Sequence, residues 1–451
     1  MAELHYRSVE EHQQRILDRV PLLPTEVLAL ADASGRTLAA DAVAGLDLPP
    51  WDNSAMDGYA VRTEDTATAT ADRHVQLTIT AELPAGADAD PPLAAGEAAR
   101  IMTGAPLPTD ADAVVPLEDV VGWDPAAPTA GSTAPEHVVL NRAATEGRHI
   151  RRRGEDVRAG DRVAFAGEPL TPHRVAALAA AGIAEVSVRR RPRVVVVSTG
   201  SELVAPGESV RRGQIPDSNS LLLAALVHAT GAEVVHRGQV SDDSAALRSV
   251  LDTTRGTTDA VVLTGGASVG AHDVARLVLA PSAPGGVPKA GPDDGGPVPG
   301  TVSAPVPDLD DSSVRFDRVA VQPGKPQGFG ALPDGRPVWS LPGNPVSAWV
   351  SYLLFVEPGL LAMQGRTTPR APWLPATAGD SWRSPHGREQ YVPVRVVSAA
   401  GEPLRVVQAT ERGSGSHLAG RLARATGLAR VPATTDEVSA GDTVLYRSLE
   451  V

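Results

Sequence analysis

Beyond Arg193 the chain sets apolar runs at 194–197, 233–236 and 260–263 alternately with helix-patterned stretches at 221–227 and 245–251. A strand that is apolar on both faces has to be covered on both faces, and the alternation supplies the cover: a parallel sheet with helices on each side. The pattern resumes at Val319-Ala320-Val321, passes through 338–341 and enters a helix at Asn344-Pro345, with Asn as cap and Pro in the first turn. Between these parts, 281–313 is mostly Pro, Gly, Ala, Asp and Ser. It buries too little apolar surface to order itself and is expected to be a mobile surface excursion.

The flanking sequence reads differently. Ser8 and Glu11 fit a capping box, and Ile16, Leu17 and Val20 follow at helical spacing, which predicts a helix over about 9–19. From 60 to 140 short apolar pieces such as Val75-Gln76-Leu77-Thr78-Ile79 are broken by Pro, Gly and Asp, the texture of a small β-rich domain. Helical signal returns at Thr171-Pro172 and stops at Gly182. After about 367, short strands at 391–397 and 443–446 predict a last β domain. The expected architecture is multidomain, α/β and β: a mixed N-terminal domain (1–56 with 145–190), an inserted β-rich domain (57–144), a central doubly wound α/β domain (191–366) and a small C-terminal β domain (367–451). Aromatics are 3% of residues, so the cores must be built from Val, Leu and Ala.

Charge and cysteine usage remove several classes of function. Lys and Arg number 41 against 54 Asp and Glu, a net charge of −13, which argues against broad attraction to nucleic acid or anionic membrane and requires any bound anion to meet a local basic pocket. With no cysteine there are no disulfides, thiolate metal sites or cysteine nucleophiles. The N-terminus lacks a basic-then-apolar signal, and the apolar stretches 221–227 and 346–356 read as too short to span a bilayer, so a soluble, cytoplasmic protein is expected.

Three segments of the α/β part share one layout, an apolar strand followed by a small polar turn: Ser198-Thr199-Gly200-Ser201-Glu202-Leu203, Thr264-Gly265-Gly266-Ala267-Ser268-Val269-Gly270 and Leu341-Pro342-Gly343-Asn344-Pro345. In a doubly wound sheet such turns gather at the carboxyl ends of the strands, where ligands bind at the switch point. Glycine lets backbone N–H groups approach an anion, and neighbouring hydroxyls join them. A phosphate-bearing ligand is therefore expected on Ser198, Thr199, Gly200, Gly265, Gly266, Ser268, Gly270, Pro342, Gly343 and Asn344. One such turn alone is an ordinary connection; three in register argue for a site. No turn ends in Gly-Lys-Ser/Thr and no strand leads into Gly-x-Gly-x-x-Gly, which demotes ATPase and dehydrogenase readings.

Glu202, Asp242, Asp243 and Asp273 stand beside these turns. Carboxylates next to a phosphate repel it unless a divalent cation stands between, and Mg²⁺ takes one or two carboxylates with phosphate oxygens and water. Glu202, Asp242 and Asp273 are the candidate Mg²⁺ ligands, whereas Asp243 reads better as the cap of a helix starting near Ser244. The run Arg148-His149-Ile150-Arg151-Arg152-Arg153 is either a solvated face or the lining of an anion pocket. Lys325 sits in Pro323-Gly324-Lys325-Pro326, a framing that a surface lysine would not need. The 11 histidines show neither H-E-x-x-H spacing nor a Ser-His-Asp set, so zinc hydrolysis and triad chemistry have no support.

Together these motifs resemble the molybdopterin molybdenumtransferases of molybdenum cofactor biosynthesis, a family that includes the E domain of gephyrin and its plant counterpart. The matching segments are Pro50-Trp51-Asp52-Asn53-Ser54-Ala55-Met56-Asp57-Gly58-Tyr59-Ala60, Met102-Thr103-Gly104-Ala105-Pro106, Gly154-Glu155-Asp156, the three turns above with Asp273, and Pro323-Gly324-Lys325-Pro326, in family order across most of the chain. The resemblance implies a central domain of the molybdopterin-binding type and an elongated four-domain homodimer, its active site lying where the α/β domain faces the partner's N-terminal part. It implies a Mg²⁺-dependent enzyme that inserts molybdenum from molybdate into adenylylated molybdopterin and releases AMP, with a transient contact to molybdopterin adenylyltransferase. Family catalytic positions fall on Asp57, Thr103, Glu202, Asp242 and Asp273, and molybdate ligands on Lys325, Arg388 and Ser416.

Two positions depart from the usual family pattern: Ser201 stands where Asp is common, and Gln322 where Lys is common. The first removes a carboxylate, the second a positive charge near molybdate. The competing readings are a molybdopterin adenylyltransferase, which shares the Thr-Gly-Gly-x-Ser-x-Gly turn but is a single-domain chain, and a non-catalytic scaffold or binding paralogue.

Overall fold

A computed structural model describes residues 6–123, 135–266, 273–279, 314–410 and 419–449. The first helix is Val9–Leu17, closed by the expected capping box: Glu11 N–H donates to Ser8 Oγ (3.1 Å) and Ser8 N–H to the Glu11 carboxylate (2.8 Å). Its apolar face, with Leu23, does not join the core around Leu38. Val9 and Ile16 are buried with Val194, Trp339 and Phe355, in the core of the α/β part.

The chain then builds a mixed unit in two visits. Thr25–Ala29 pairs antiparallel with Glu185–Arg189, and Ala42–Val43 with Arg162–Ala164, around a core that includes Leu38, Leu170 and Leu178. Between the visits lies a five-stranded sheet in the order Ala113–Pro116, Gly58–Val61, Glu97–Ile101, Val75–Leu83, His137–Leu140. Asn53–Ser54 pairs with Ile150–Arg151, which brings the Asn53-to-Gly58 motif against the arginine run.

The central sheet has six strands, ordered Glu233–Val240, Arg193–Thr199, Ala260–Thr264, Pro337–Leu341, Pro326–Ala331, Arg315–Arg318. Its first four are parallel. Alternate residues go to opposite faces, and both faces are buried: Val194 and Val196 in one core, Val195 and Val197 in the other. The expected parallel sheet is present and is extended by an antiparallel pair, because Pro326–Ala331 runs antiparallel to both of its neighbours. Only the short turn from Leu332 to Arg336 separates it from Pro337–Leu341, too little chain for the crossover that parallel strands require. The expected strand at 319–321 also differs: Val321–Gln322 leaves this sheet and pairs with Glu389 and Gln390.

The helix after Asn344 is longer than the sequence reading allowed. Pro345–Ser351 continues through a wide turn at Tyr352–Val356 into Glu357–Met363. At 19 residues it is long and apolar enough to cross a membrane by length and composition, but 83% of its most apolar window is buried inside the protein. It is a core helix. The last part is a closed β-barrel: Glu389–Val396 pairs with Arg405–Gln408 on one side and Gly427–Val431 on the other, and Leu374–Ala378 and Thr443–Ser448 complete the ring. The excursion expected at 281–313 lies outside the described residues.

Candidate active site

The chain enters the central sheet at Arg193–Thr199, crosses to Glu233–Val240 on one side, then returns past its starting strand to Ala260–Thr264 on the other. The order therefore reverses between Arg193–Thr199 and Ala260–Thr264, and a crevice opens beyond their carboxyl ends. It holds a cleft of about 1000 Å³, lined by all three small-residue turns.

Buried hydrogen bonds sew those turns together. Thr264 Oγ1 donates to Pro342 O (3.0 Å) and accepts from Asn219 Nδ2 (3.1 Å), which also donates to Gly343 O (2.6 Å). Ser198 Oγ donates to Asp217 (2.9 Å), a buried carboxylate that also accepts the Ser220 N–H (3.0 Å). Gly265 has φ +84°, and a side chain there would collide with the Thr199 carbonyl, so only glycine lets the two strand ends close up.

Glu202, Asp242 and Asp273 all line the cleft. Ser201 and Asp242 bond reciprocally, Ser201 N–H to Asp242 Oδ2 and Asp242 N–H to Ser201 Oγ, each at 3.1 Å. Serine thus fixes the Asp242 backbone and carboxylate without adding a charge. Asp273 is buried and accepts the Arg276 N–H (3.1 Å). Asp243 is the cap of Ser244–Thr253, accepting the Ala245 N–H (2.9 Å).

The cations come from the loop after Val321–Gln322 and from the barrel. Gly324, with φ +101°, puts its backbone against Ser351 and Gln327; the latter donates to Gly324 O (2.6 Å) and Ser351 Oγ (2.7 Å), which pins the loop carrying Lys325. Val319 N–H closes the same loop on Lys325 O (2.8 Å). Arg388 arrives from the barrel, because Val321–Gln322 pairs with the start of Glu389–Val396. Lys325, Arg388 and Gln322 line the cleft with the glycine turns and the carboxylates.

Comparison with known proteins gives the same picture along the whole chain. Residues 7–182 match the MoeA N-terminal region (domain I and II), 195–292 the probable molybdopterin-binding domain, and 375–449 the MoeA C-terminal region (domain IV). The molybdopterin molybdenumtransferase 2 of Mycobacterium tuberculosis is 39% identical over 96% of this chain and 98% of its own, and the molybdopterin molybdenumtransferase of a Nostoc species is 32% identical over 98% and 94%. The chain belongs to the molybdopterin molybdenumtransferase (MoeA) family. A crystal structure of the molybdopterin biosynthesis moeA protein from Pyrococcus horikoshii superposes with a TM-score of 0.75 at 27% identity, covering 98% of this chain and 99% of that one. Membership makes the chain a transferase.

Not every residue singled out in the sequence reaches the cleft. Asp57 accepts from the Thr103 N–H (2.6 Å) and hydroxyl (2.7 Å), so these two sit together, but on the β-rich sheet and outside the cleft lining of the same chain. The arginine run is partly spent on ion pairs, Arg152 with Asp52 (2.7 Å) and Arg153 with Asp47 (2.5 Å). Ser268, Gly270 and Ser416 lie outside the described residues. Asp217 and Asn219 are among the cleft residues that went unread. Their signal was Pro216-Asp217-Ser218-Asn219 directly before an apolar helix, which resembles an ordinary helix start.

Proposed function

We propose that the cleft inserts molybdenum from molybdate into adenylylated molybdopterin, releasing AMP and giving molybdenum cofactor. The observation that carries this reading is the meeting, in one space, of the small-residue turns, four carboxylates (Glu202, Asp217, Asp242 and Asp273) and two cations. Backbone N–H groups of the glycine turns, with Thr199, hold the phosphates, while the Ser198 hydroxyl is spent on Asp217; Lys325 and Arg388, with Ser416, hold the molybdate dianion. The protein acts by positioning and by balancing charge at the reacting phosphate and oxyanion.

Among the described residues no three His, Asp or Glu side chains converge into a ready-made metal cage. Asp242, Asp273 and Glu202 therefore do not gather into a three-carboxylate site; in this reading Mg²⁺ takes one or two of them and is completed by phosphate oxygens and water. When bound, the ion supplies charge neutralisation at the phosphate. Asp57 and Thr103 act, in this reading, in the partner's cleft of a homodimer, and the adenylylated substrate arrives through a transient contact with an adenylyltransferase. We place the enzyme in the cytoplasm and divide it at the boundaries expected from the sequence.

The test is AMP release from adenylylated molybdopterin by the purified protein with Mg²⁺, with and without molybdate. The reading expects molybdate to stimulate release and chelation of Mg²⁺ to abolish it. Nucleotide transfer from ATP to free molybdopterin, with no molybdate effect, would move the chain to the adenylyltransferases. Neither activity, where another family member works, would leave a scaffold.

A further inference from the structure

The cation end of the cleft is assembled from three distant parts of the chain. The N-terminal segment lies along 318–320, with Arg7 N–H donating to Arg318 O (2.9 Å) and Ala320 N–H to Arg7 O (2.8 Å). This carries Tyr6 onto Lys325, whose Nζ is 4.9 Å from the centre of the Tyr6 ring. Across the seam with the barrel, Arg388 Nη1 donates to Gln322 Oε1 at 2.7 Å.

Neutral groups hold some arginines elsewhere, such as Arg366 on Thr37 Oγ1 (2.9 Å), but several others are held by carboxylates. Arg15 is paired with Asp317, Arg190 with Asp259 and Arg430 with Glu389. Among the described residues neither Lys325 nor Arg388 makes an ion pair; each leans on a neutral group, a phenol ring and an amide oxygen. A carboxylate would fix the cation and cancel its charge. A ring face or an amide fixes its position and leaves the charge in place.

We propose that Tyr6 and Gln322 are positioning residues, each holding one cation at the cation end of the cleft while leaving its full charge for a tetrahedral dianion. On this account Gln322 is no mere loss of the more common lysine. A lysine there would repel Arg388, whereas the amide ties it to the strand Val321–Gln322 that pairs with the barrel beside it. The inference rests on the reading of this end as the molybdate site.

Sodium molybdate is titrated calorimetrically into the full-length protein with Mg²⁺ present, beside Tyr6→Ala, Tyr6→Phe, Gln322→Ala and Gln322→Glu, with thermal unfolding as the check on folding. Tyr6→Ala is expected to weaken molybdate binding about threefold and Tyr6→Phe, which keeps the ring, to restore most of it. Gln322→Ala is expected to weaken it by about tenfold, and Gln322→Glu, which discharges Arg388, by more. In turnover these variants raise KM for molybdate and leave kcat within about twofold, since oxyanion binding is all they touch. Folded variants that bind molybdate as tightly as the unmutated protein overturn the assignment. An unmutated protein that binds no molybdate overturns the oxyanion reading itself, and this inference with it.

Discussion

Asp217 is the residue on which the geometry of the first turn depends. Only 4% exposed, it accepts both the Ser198 hydroxyl and the Ser220 N–H, so it joins the end of a strand to the start of the helix Asn219–Ala229. Replacing it with Ala leaves two buried donors without an acceptor, and urea denaturation is expected to show a loss of about 2–3 kcal/mol. Asp217→Asn keeps the shape and one acceptor oxygen and is expected to lose less than half of that. At this scale the sequence was most legible where a residue's type already implies its chemistry: Lys325 between its prolines, Asp273 past a double glycine, Asp243 as a cap. Asp217 and Asn219 were not, because a polar residue before an apolar helix looks the same whether it ends the helix or ties together two strand turns.

Among the elements, the helix Val9–Leu17 is fastened to the α/β part by its apolar face and by a cluster of charge. Arg15 and Arg7 lie 2.8 Å and 3.3 Å from Asp317 Oδ2, with the His12 ring beside them. Burial alone would raise the Asp317 carboxyl, but the neighbouring His12, Arg7 and Arg15 outweigh it and hold it at about 2 against an ordinary 3.8. Complete burial pushes His12 below its ordinary 6.5. Both shifts are depressions, so both contribute stability that is present at neutral pH and lost on acidification. The urea midpoint is expected to fall first below pH 6.5, as the unfolded chain gains a proton on His12, and again between 3.8 and about 2, as Asp317 titrates. Asp317→Asn should remove the second phase and cost about 3 kcal/mol at neutral pH, because it leaves the buried Arg15 without its counter-charge. A midpoint flat from pH 7 to 3 would contradict this.

Elements were readable where the signal is local. The capping box at Ser8 and the apolar strands of the central sheet follow from spacing alone. The antiparallel addition to that sheet and the barrel's pairing with Val321–Gln322 do not, since each is decided by loop length or by a partner some 70 residues away in the chain. That second pairing is what places Arg388 beside the loop of Lys325.

For the whole molecule, the separation of Asp57 and Thr103 from the cleft of their own chain makes the homodimer reading testable. If each site is shared, Asp57→Ala and Asp273→Ala homodimers are both inactive, but unfolding and refolding them together should return about a quarter of wild-type activity, because half of the dimers then carry one intact site. No recovery, with mixed dimers demonstrated, would mean that Asp57 acts within its own chain or only supports Thr103. The chain's acidity does not oppose the proposed chemistry, because the positive charge that matters is confined to the end of one cleft.

The central claim is that phosphate cleavage and metal insertion occur together in this cleft. The most direct measurement is a stoichiometry: adenylylated molybdopterin is turned over with Mg²⁺ and molybdate, AMP is quantified, and the molybdenum bound to the isolated pterin is measured in the same sample. The account predicts about one molybdenum per AMP, with both lost in Asp273→Ala. AMP released without molybdenum on the pterin would contradict it.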